Sequence, residues 1–525
     1  MSGWSSDKSM KPANRNNLGR TSWLVWIGLA VLFMAITTQA PLYSSNQNQY
    51  FLHGMAQAGL GSLEDDWLAA TREPTPLFTL LVKWTFLLFK QPAWFYVWYT
   101  ILMGIYFYCL VHLTGGTRGQ KMTGISWMLP VTLLLLIHSA ALRFLLSRLL
   151  GTGWAFLFDG GVAGQRLLGT VLQPSAFGVL LIAALLRFRD RHPFQAGILA
   201  ASTAVIHPTY LLTSALMVLG FMVTLVVEEK SIKKPLQVGA IALVIVSPIL
   251  AYIFTHFWGA NPEEAAYARE ILVYNRLPHH ALASTWADLP AFFRVCLVIA
   301  ALALTRKNRL LWIPLLTIFL GASALTLIQV ISGNEFLALV FPWRPSALLV
   351  PVSSSILVFK FSAWLLQKSD GWPNRMVHWL QIACITLMIF LAAAGGVAMQ
   401  QAVQTRQDAP SAPMTAWVRE HSEPGDRFLI PVNLETFRTS TLRPIYIDYF
   451  AIPYSDSDVI QWYHRVLAAN KFYATADCNE LFHLRDDERL THVVTETESV
   501  QPDCRALELV YQDPAYTVYR AYVAK

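Results

Sequence analysis

Charge is scarce in this sequence. Asp, Glu, Lys and Arg make up 14% of its 525 residues, against about 25% in a soluble globular protein. With 54% hydrophobic residues and a mean hydropathy of +0.41, that shortage excludes an ordinary soluble domain. The chain reads as a polytopic membrane protein. Cysteine is also rare, at five residues, and no spacing resembles a zinc site. Cys109, Cys296 and Cys384 fall in apolar runs and read as small buried hydrophobes. Cys478 and Cys504 lie in a polar C-terminal region, where they can form one disulfide if that region is extracytoplasmic, or remain two thiols. There is no internal repeat, and the pairs Gly160-Gly161 and Gly395-Gly396 lack the strand–turn–helix setting of a phosphate-cradling loop. The formal charge of +7 does not indicate nucleic acid as a partner, because the basic residues cluster in short segments between apolar runs.

The N-terminal residues 1–21 are polar and basic, and the apolar run that follows could pass for a signal peptide. Its best small-residue cleavage point ends at Ala40, but Pro41 follows, so the segment is expected to be a retained first span with a cytoplasmic N-terminus. Spans are expected at 22–42, 92–113, 124–144, 171–187, 194–208, 209–228, 235–257, 290–305, 309–331, 345–366 and 376–400. The segment 75–90 is ambiguous. Positive clusters at Arg118 and Lys121, Arg187 to Arg191, Lys230 to Lys234, Arg306 to Arg309, and Lys368 with Arg375 all belong inside. These are satisfied by eleven spans with 75–90 lying at the interface, its Lys83 and Lys90 snorkelling, or by thirteen with 75–90 crossing.

Either solution places five polar segments on the outer face: 43–76, 151–173, 259–290, 333–345 and everything after 399. The opposite face keeps only short basic turns. From about residue 401 to 525 the composition turns polar. The runs RFLIPV, RPIYIDYF, THVVTET, LELVYQD and YTVYRAYV read as short strands, and SDSDVIQWYHRVLAANKFYA as a helix capped by Ser or Asp. The expected architecture is therefore mainly α, a transmembrane domain over 22–400 followed by a small extracytoplasmic α/β domain.

The first outer loop carries Glu64, Asp65 and Asp66 beside Trp67. Carboxylates at a membrane surface can deprotonate an acceptor or stabilise an oxocarbenium-like transition state. One of them could equally serve as a helix cap before WLAAT. Asp159, between Phe158 and Gly160, is a candidate second acid, although Asp-Gly is also a turn signal. Arg166 and Arg344 could each clamp a phosphate, Arg344 alternatively snorkelling to the interface. His279 and His280 could act as acid or base, metal ligand or phosphate hydrogen-bond donors, with only one of two adjacent imidazoles expected to act. Glu263 and Glu264 read as the solvated first turn of a helix, His207-Pro208 as a tight turn that could instead line the cavity, and Arg438, Arg443, Asp448 and Tyr454 as a group that can pair with one another. Arg143, Arg294 and Lys360 stand out as ionisable residues inside apolar spans.

The layout resembles the GT-C class of membrane glycosyltransferases: a first span, a long acid-bearing outer loop with a proline-led helix (LEDDWLAATREPTPLFTLLVKWTFLLF), short inner loops and an outer C-terminal domain. NQNQYFLHGMAQAG, EDDW, PTPLF, GQRLLGTVLQPSAFG, HPTY, RLPHH and the FR…RPIYIDY…PY…WYHR run are similar to an uncharacterised family of bacterial polytopic membrane proteins. The resemblance implies sugar transfer from a polyprenyl-phosphate-linked donor to a glycan, lipid or protein acceptor outside the cytoplasmic membrane. Lipids and the lipid-linked donor are then the partners, with no certain cofactor and room for a divalent cation. Many GT-C enzymes place an acid just after the first span, where this chain has Asn46, Gln47, Asn48 and Gln49. The expected base is therefore Asp65 or Asp66, with Asp159 as second acid and Glu64, Arg166, His279, His280 and Arg344 around the substrate phosphate. Other readings of the same layout are a lipid or polysaccharide transporter or flippase, and a non-catalytic scaffold in an envelope-polysaccharide complex.

Overall fold

The computed structural model describes residues 19–115, 124–257, 261–368 and 372–522. Most of the expected N-terminal tail and the Arg118 and Lys121 cluster lie outside these residues. Among the described residues six helices are long and apolar enough to cross a membrane: Trp94–Thr114, Pro208–Glu229, Lys233–Phe257, Arg309–Ser332, Ser346–Gln367 and Asn374–Gln407. A bent pair, Ile125–Ile137 with Ala140–Leu150, makes a seventh if counted as one span. Four shorter apolar helices, Trp23–Thr37, Pro76–Phe89, Pro193–Ile206 and Leu289–Thr305, have 10–17 residues, below the about 20 that cross a bilayer without thinning it. Length and composition thus give six to seven spans where hydropathy gave eleven.

Three expected spans differ for local reasons. The first helix stops at Thr37 because Thr38 turns into the left-handed region and Pro41 follows. The 124–144 run breaks by 51° at His138-Ser139. Ser139 is extended, and its hydroxyl accepts from Leu142 N at 3.0 Å, capping a second, amphipathic helix. The 171–187 run stays irregular through Gln173, whose successor Pro174 disfavours helix there. It then gives a short 3-10 turn, Pro174–Gly178, and an 11-residue helix, Val179–Arg189. The ambiguous 75–90 segment is one helix, Pro76–Phe89, begun by a proline in its first turn. Phe33, Tyr99, Leu134, Ile182 and Leu348 lie within one continuous apolar core that joins these helices.

The C-terminal region carries a four-stranded sheet, with β1 Phe428–Leu429, β2 His492–Glu496, β3 Leu507–Gln512 and β4 Tyr516–Ala521 in the order β1-β2-β4-β3. β1 and β2 run parallel, and the other pairs antiparallel, with a register shift between Leu509 and Tyr511. The run RPIYIDYF is not a strand. Only an isolated bridge links Ile445 to Phe428, through Tyr446 N donating to Phe428 O at 2.8 Å and Phe428 N to Pro444 O at 3.1 Å, while the Ile445 amide points away from β1 and donates to Asp66 Oδ2 at 3.0 Å. The helix Asp456–Thr475 starts at Ser455, whose hydroxyl accepts from Asp458 N. Its Trp462 is fully buried and donates to Asp448 O at 3.0 Å. Cys478 and Cys504 are joined in a disulfide.

The loop after the first apolar helix, residues 38–75, is clasped to this region. Gly61 sits at φ +61 with Leu442 O 2.3 Å from where a Cβ would stand, so only glycine allows the approach. Ser62 N donates to Leu442 O, Thr439 Oγ1 to Asn48 Oδ1, and Gln49 Nε2 to Ile452 O and Tyr454 Oη.

Candidate functional site

Residues 159–166 form a tight reversal, closed by a bridge between Gly160 and Arg166 and by Gly161 N donating to Gln165 O at 2.7 Å. The Asp-Gly turn signal is therefore real. Gly161 abuts the start of the Ser346–Gln367 helix, where a Cβ would meet Ser346 Oγ at 2.4 Å. On one side of the reversal, Asp159 Oδ2 accepts from Arg143 at 2.6 Å, and Arg143 also donates to Thr37 O. Asp159 Oδ1 is buried without a hydrogen-bond partner among the described residues. Arg166 lies over the Phe156 ring, 3.7 Å from its centroid.

On the other side, Gln165 Oε1 accepts from Arg344 at 2.7 Å. The second Arg344 terminal nitrogen contacts His207 Nε2 at 3.1 Å, and its guanidinium lies 5.0 Å from the Tyr210 ring centroid. Arginine has no lone pair, so Nε2 of His207 must be the acceptor and its proton sits on Nδ1. That Nδ1, together with Arg344 Nε and Ser175 Oγ, is buried without a partner among the described residues. Buried donors are normally satisfied, so three here mark a place where an acceptor-rich group belongs. His280 donates through Nδ1 to Ala163 O at 2.6 Å in the same reversal. Burial and the neighbouring His279 hold its pKa down at about 4, which leaves it neutral with Nε2 as an acceptor.

The loop after the first apolar helix supplies a third wall. Tyr50 stands 6.2 Å from the His207 ring, edge to face. Burial raises its pKa, while hydrogen bonding to Tyr454 and the charge of Arg344 pull the other way and Glu73 adds to the rise. It therefore lies in the fields of both charges. Glu73 is held by His53 Nδ1 at 2.8 Å and by Thr75 N and Oγ1 at 2.6 and 2.5 Å. His53 Nε2 meets Thr71 O at 3.1 Å, so both ring nitrogens face acceptors and the ring is an imidazolium. The Nδ1 approach is bent, an ion-pair contact rather than a linear hydrogen bond. Burial opposes both charges, yet the pair wins: His53 is shifted up and Glu73 down.

The structure gathers Arg344 and His280 about the 159–166 reversal, places Asp159 and Arg166 on its other side, and keeps the three consecutive acids elsewhere. Glu64 and Asp65 are exposed, and the Asp65 carbonyl accepts from Arg427 at 2.8 Å. Asp66 is buried against the C-terminal region: Oδ2 accepts from Arg438 Nε at 2.8 Å and Oδ1 from Leu68 N at 3.0 Å. Arg438 in turn reaches Asp448 at 2.6 Å, the self-pairing expected of that group. His279 stacks beside His280 without a polar contact of its own among the described residues. Arg143 and Arg294 do not line a path through the bundle, since they are tied to Asp159 and to Gly153 O. Sequence reasoning missed Tyr50, His53, Glu73 and Gln165, for which the polar density of REPTP was an available signal; His207-Pro208 makes the expected turn, with Tyr210 N donating to His207 O at 2.9 Å, and His207 also faces the site, the alternative reading of that pair. Among the described residues no three His, Cys, Asp or Glu side chains gather as a metal site.

Fold and site together define a polytopic helical membrane protein with a small C-terminal sheet region clasped to the loop after its first apolar helix. Residues 409–469 match a domain of unknown function (DUF6798). No curated protein matches the sequence. Among solved structures the chain is similar to the archaeal oligosaccharyltransferase AglB from Archaeoglobus fulgidus, in complex with an inhibitory peptide and a dolichol-phosphate. That likeness has 11% identity and a TM-score of 0.49, covering 91% of this chain and 70% of that one. It is also similar to ArnT from Cupriavidus metallidurans bound to undecaprenyl phosphate, at 12% identity and a TM-score of 0.48, covering 96% of this chain and 98% of that one.

Proposed function

We propose that this protein is a membrane glycosyltransferase that uses a polyprenyl-phosphate-linked sugar and delivers the sugar to an acceptor on the loop face, outside the cytoplasmic membrane. The observation that carries the reading is the Arg344 cluster, where a guanidinium is fixed by Gln165 and His207 while Arg344 Nε and His207 Nδ1 remain buried and unpaired. A phosphate fits that demand, supplying acceptor oxygens for several N–H donors and negative charge for one cation. The disulfide in the C-terminal region agrees with an oxidising, extracytoplasmic side for this face.

In this reading an acceptor hydroxyl oxygen attacks the anomeric carbon, and the bond from that carbon to the phosphate oxygen breaks. The electron pair leaves on the lipid phosphate, where Arg344 offsets the charge. The hydroxyl proton passes to water on the loop face. His53 and Glu73 act as positioning residues that fix the loop wall carrying Tyr50. Asp66 holds the loop to the C-terminal region and takes no proton.

The test is binding of undecaprenyl phosphate to the full chain in nanodiscs, followed by transfer from a lipid extract containing polyprenyl-phosphate-linked sugars. R344M should weaken binding by about tenfold or more, the loss of one charge-assisted hydrogen-bond set. Equal binding by wild type and R344M would overturn the reading.

A further inference from the structure

Lys360 belongs to neither side of the site just described. It lies seven residues before the end of the Ser346–Gln367 helix, about 10 Å in from that terminus at 1.5 Å per residue. A cation at such depth in an apolar helix is costly unless something meets it. It opens into a cavity of about 1240 Å³ on the basic face, formed by the ends of several helices. The walls are apolar, with Trp127, Pro130, Leu304, Leu311, Ile356 and Phe359 among them. The charged lining is Arg189, Asp190, Arg191, Lys307 and Lys360, so four cations face one carboxylate and leave an excess of three positive charges.

These cations divide into two kinds. Arg189 is paired with Asp190 at 2.9 Å, and Arg191 with Glu228. Lys307 and Lys360 have no carboxylate within ion-pair distance among the described residues, although both face the same cavity. Ammonium groups beside apolar walls, Lys307 where two helices meet and Lys360 about 10 Å further along its helix, match one ligand chemistry: a phosphate attached to hydrocarbon. A free anion would satisfy the lysines and leave the walls without a partner, whereas a zwitterionic lipid would bring its own cation into a positive field.

We infer that this cavity is a binding site for the headgroup of an anionic phospholipid from the leaflet on the basic face, its phosphate meeting Lys360 and Lys307 and its chains lying along Leu304, Ile356 and Phe359. The lipid acts from the opposite face to the Arg344 cluster and is a structural or regulatory ligand rather than the substrate bound there. It joins the helices whose ends form the cavity, including Ile125–Ile137, Val179–Arg189 and Ser346–Gln367.

The experiment uses the detergent-purified full chain. Thermal stability and native mass spectrometry are followed with phosphatidylglycerol, phosphatidylcholine or inorganic phosphate added. Phosphatidylglycerol should bind and stabilise wild type, and K360M and K307M should each weaken that binding by about tenfold, the typical effect of one charged hydrogen-bond partner. K360R should retain it. K233M, a basic-face lysine outside the cavity, should bind as wild type does. Because Lys307 is exposed, K307M keeps the test decisive whatever K360M does to folding. Equal stabilisation by phosphatidylcholine, full effect from inorganic phosphate alone, or unchanged binding in K307M and K360M would each overturn the inference.

Discussion

Asp66 and Arg438, 372 residues apart in the chain, meet at 2.8 Å with both side chains buried. Asp448 completes the group from the other side of the guanidinium, so one cation is shared by two carboxylates. The contact makes the loop after the first span and the sheet region a single wall. Removing one partner of a buried ion pair costs about 3–5 kcal/mol, because the remaining charge stays desolvated. D66A should therefore lower stability by that amount and open the C-terminal region to limited proteolysis, while D65A should change stability by no more than about 0.5 kcal/mol. Equal proteolysis of both variants would show that the clasp lies elsewhere.

The His207–Arg344 contact requires a lone pair on His207 Nε2. H207L removes it and should weaken undecaprenyl phosphate binding by about tenfold, whereas H207Q, whose amide oxygen can accept, should recover most of the loss. If H207L and H207Q bind alike, acceptance by the ring nitrogen is not what orients Arg344.

The His53–Glu73 pair has a defined pH window. The upward shift of His53 gives stability that is complete below its ordinary value of 6.5 and is lost as pH rises through the raised value. The downward shift of Glu73 gives stability that is complete above 4.5 and is lost as pH falls through the lowered value. Between those two ordinary values both contributions are full. Hydrogen exchange at Thr75 and the first turn of Pro76–Phe89, corrected for intrinsic rate, should therefore quicken as pH climbs above neutrality. E73Q should abolish this trend, and a trend of the same size in E73Q would assign it to another group.

The disulfide closes 26 residues of chain. Loop-closure entropy for that length corresponds to about 3.5 kcal/mol, so the C478S/C504S double variant should unfold its C-terminal region at lower temperature while the membrane helices keep their circular dichroism. Co-operative loss of both signals would show instead that the clasp transmits unfolding into the bundle.

Composition and local pattern were enough for the class of protein and most helix positions. Burial of long apolar runs depends only on neighbours in sequence, and so does the Ser455 cap, because a hydroxyl and the third amide beyond it are fixed by one turn of chain. Local signals also explain where reading failed by a few residues: Ser139 and Pro174 end spans that summed hydropathy runs through.

The site was another matter. Three adjacent acids are indistinguishable in sequence, yet Glu64 and Asp65 face outward and Asp66 is drawn inside by an arginine supplied from the far end of the chain. Gln165, His207 and Arg344 come from three separate segments and acquire meaning only where the Gly161 reversal lets them converge. Sequence by itself determined the class of membrane protein and the presence of a C-terminal α/β region, both of which follow from short-range chemistry. Which acids are buried, which cations lack a partner and where a phosphate would be met were decided by tertiary contacts alone, since charge pairing depends on distance through space.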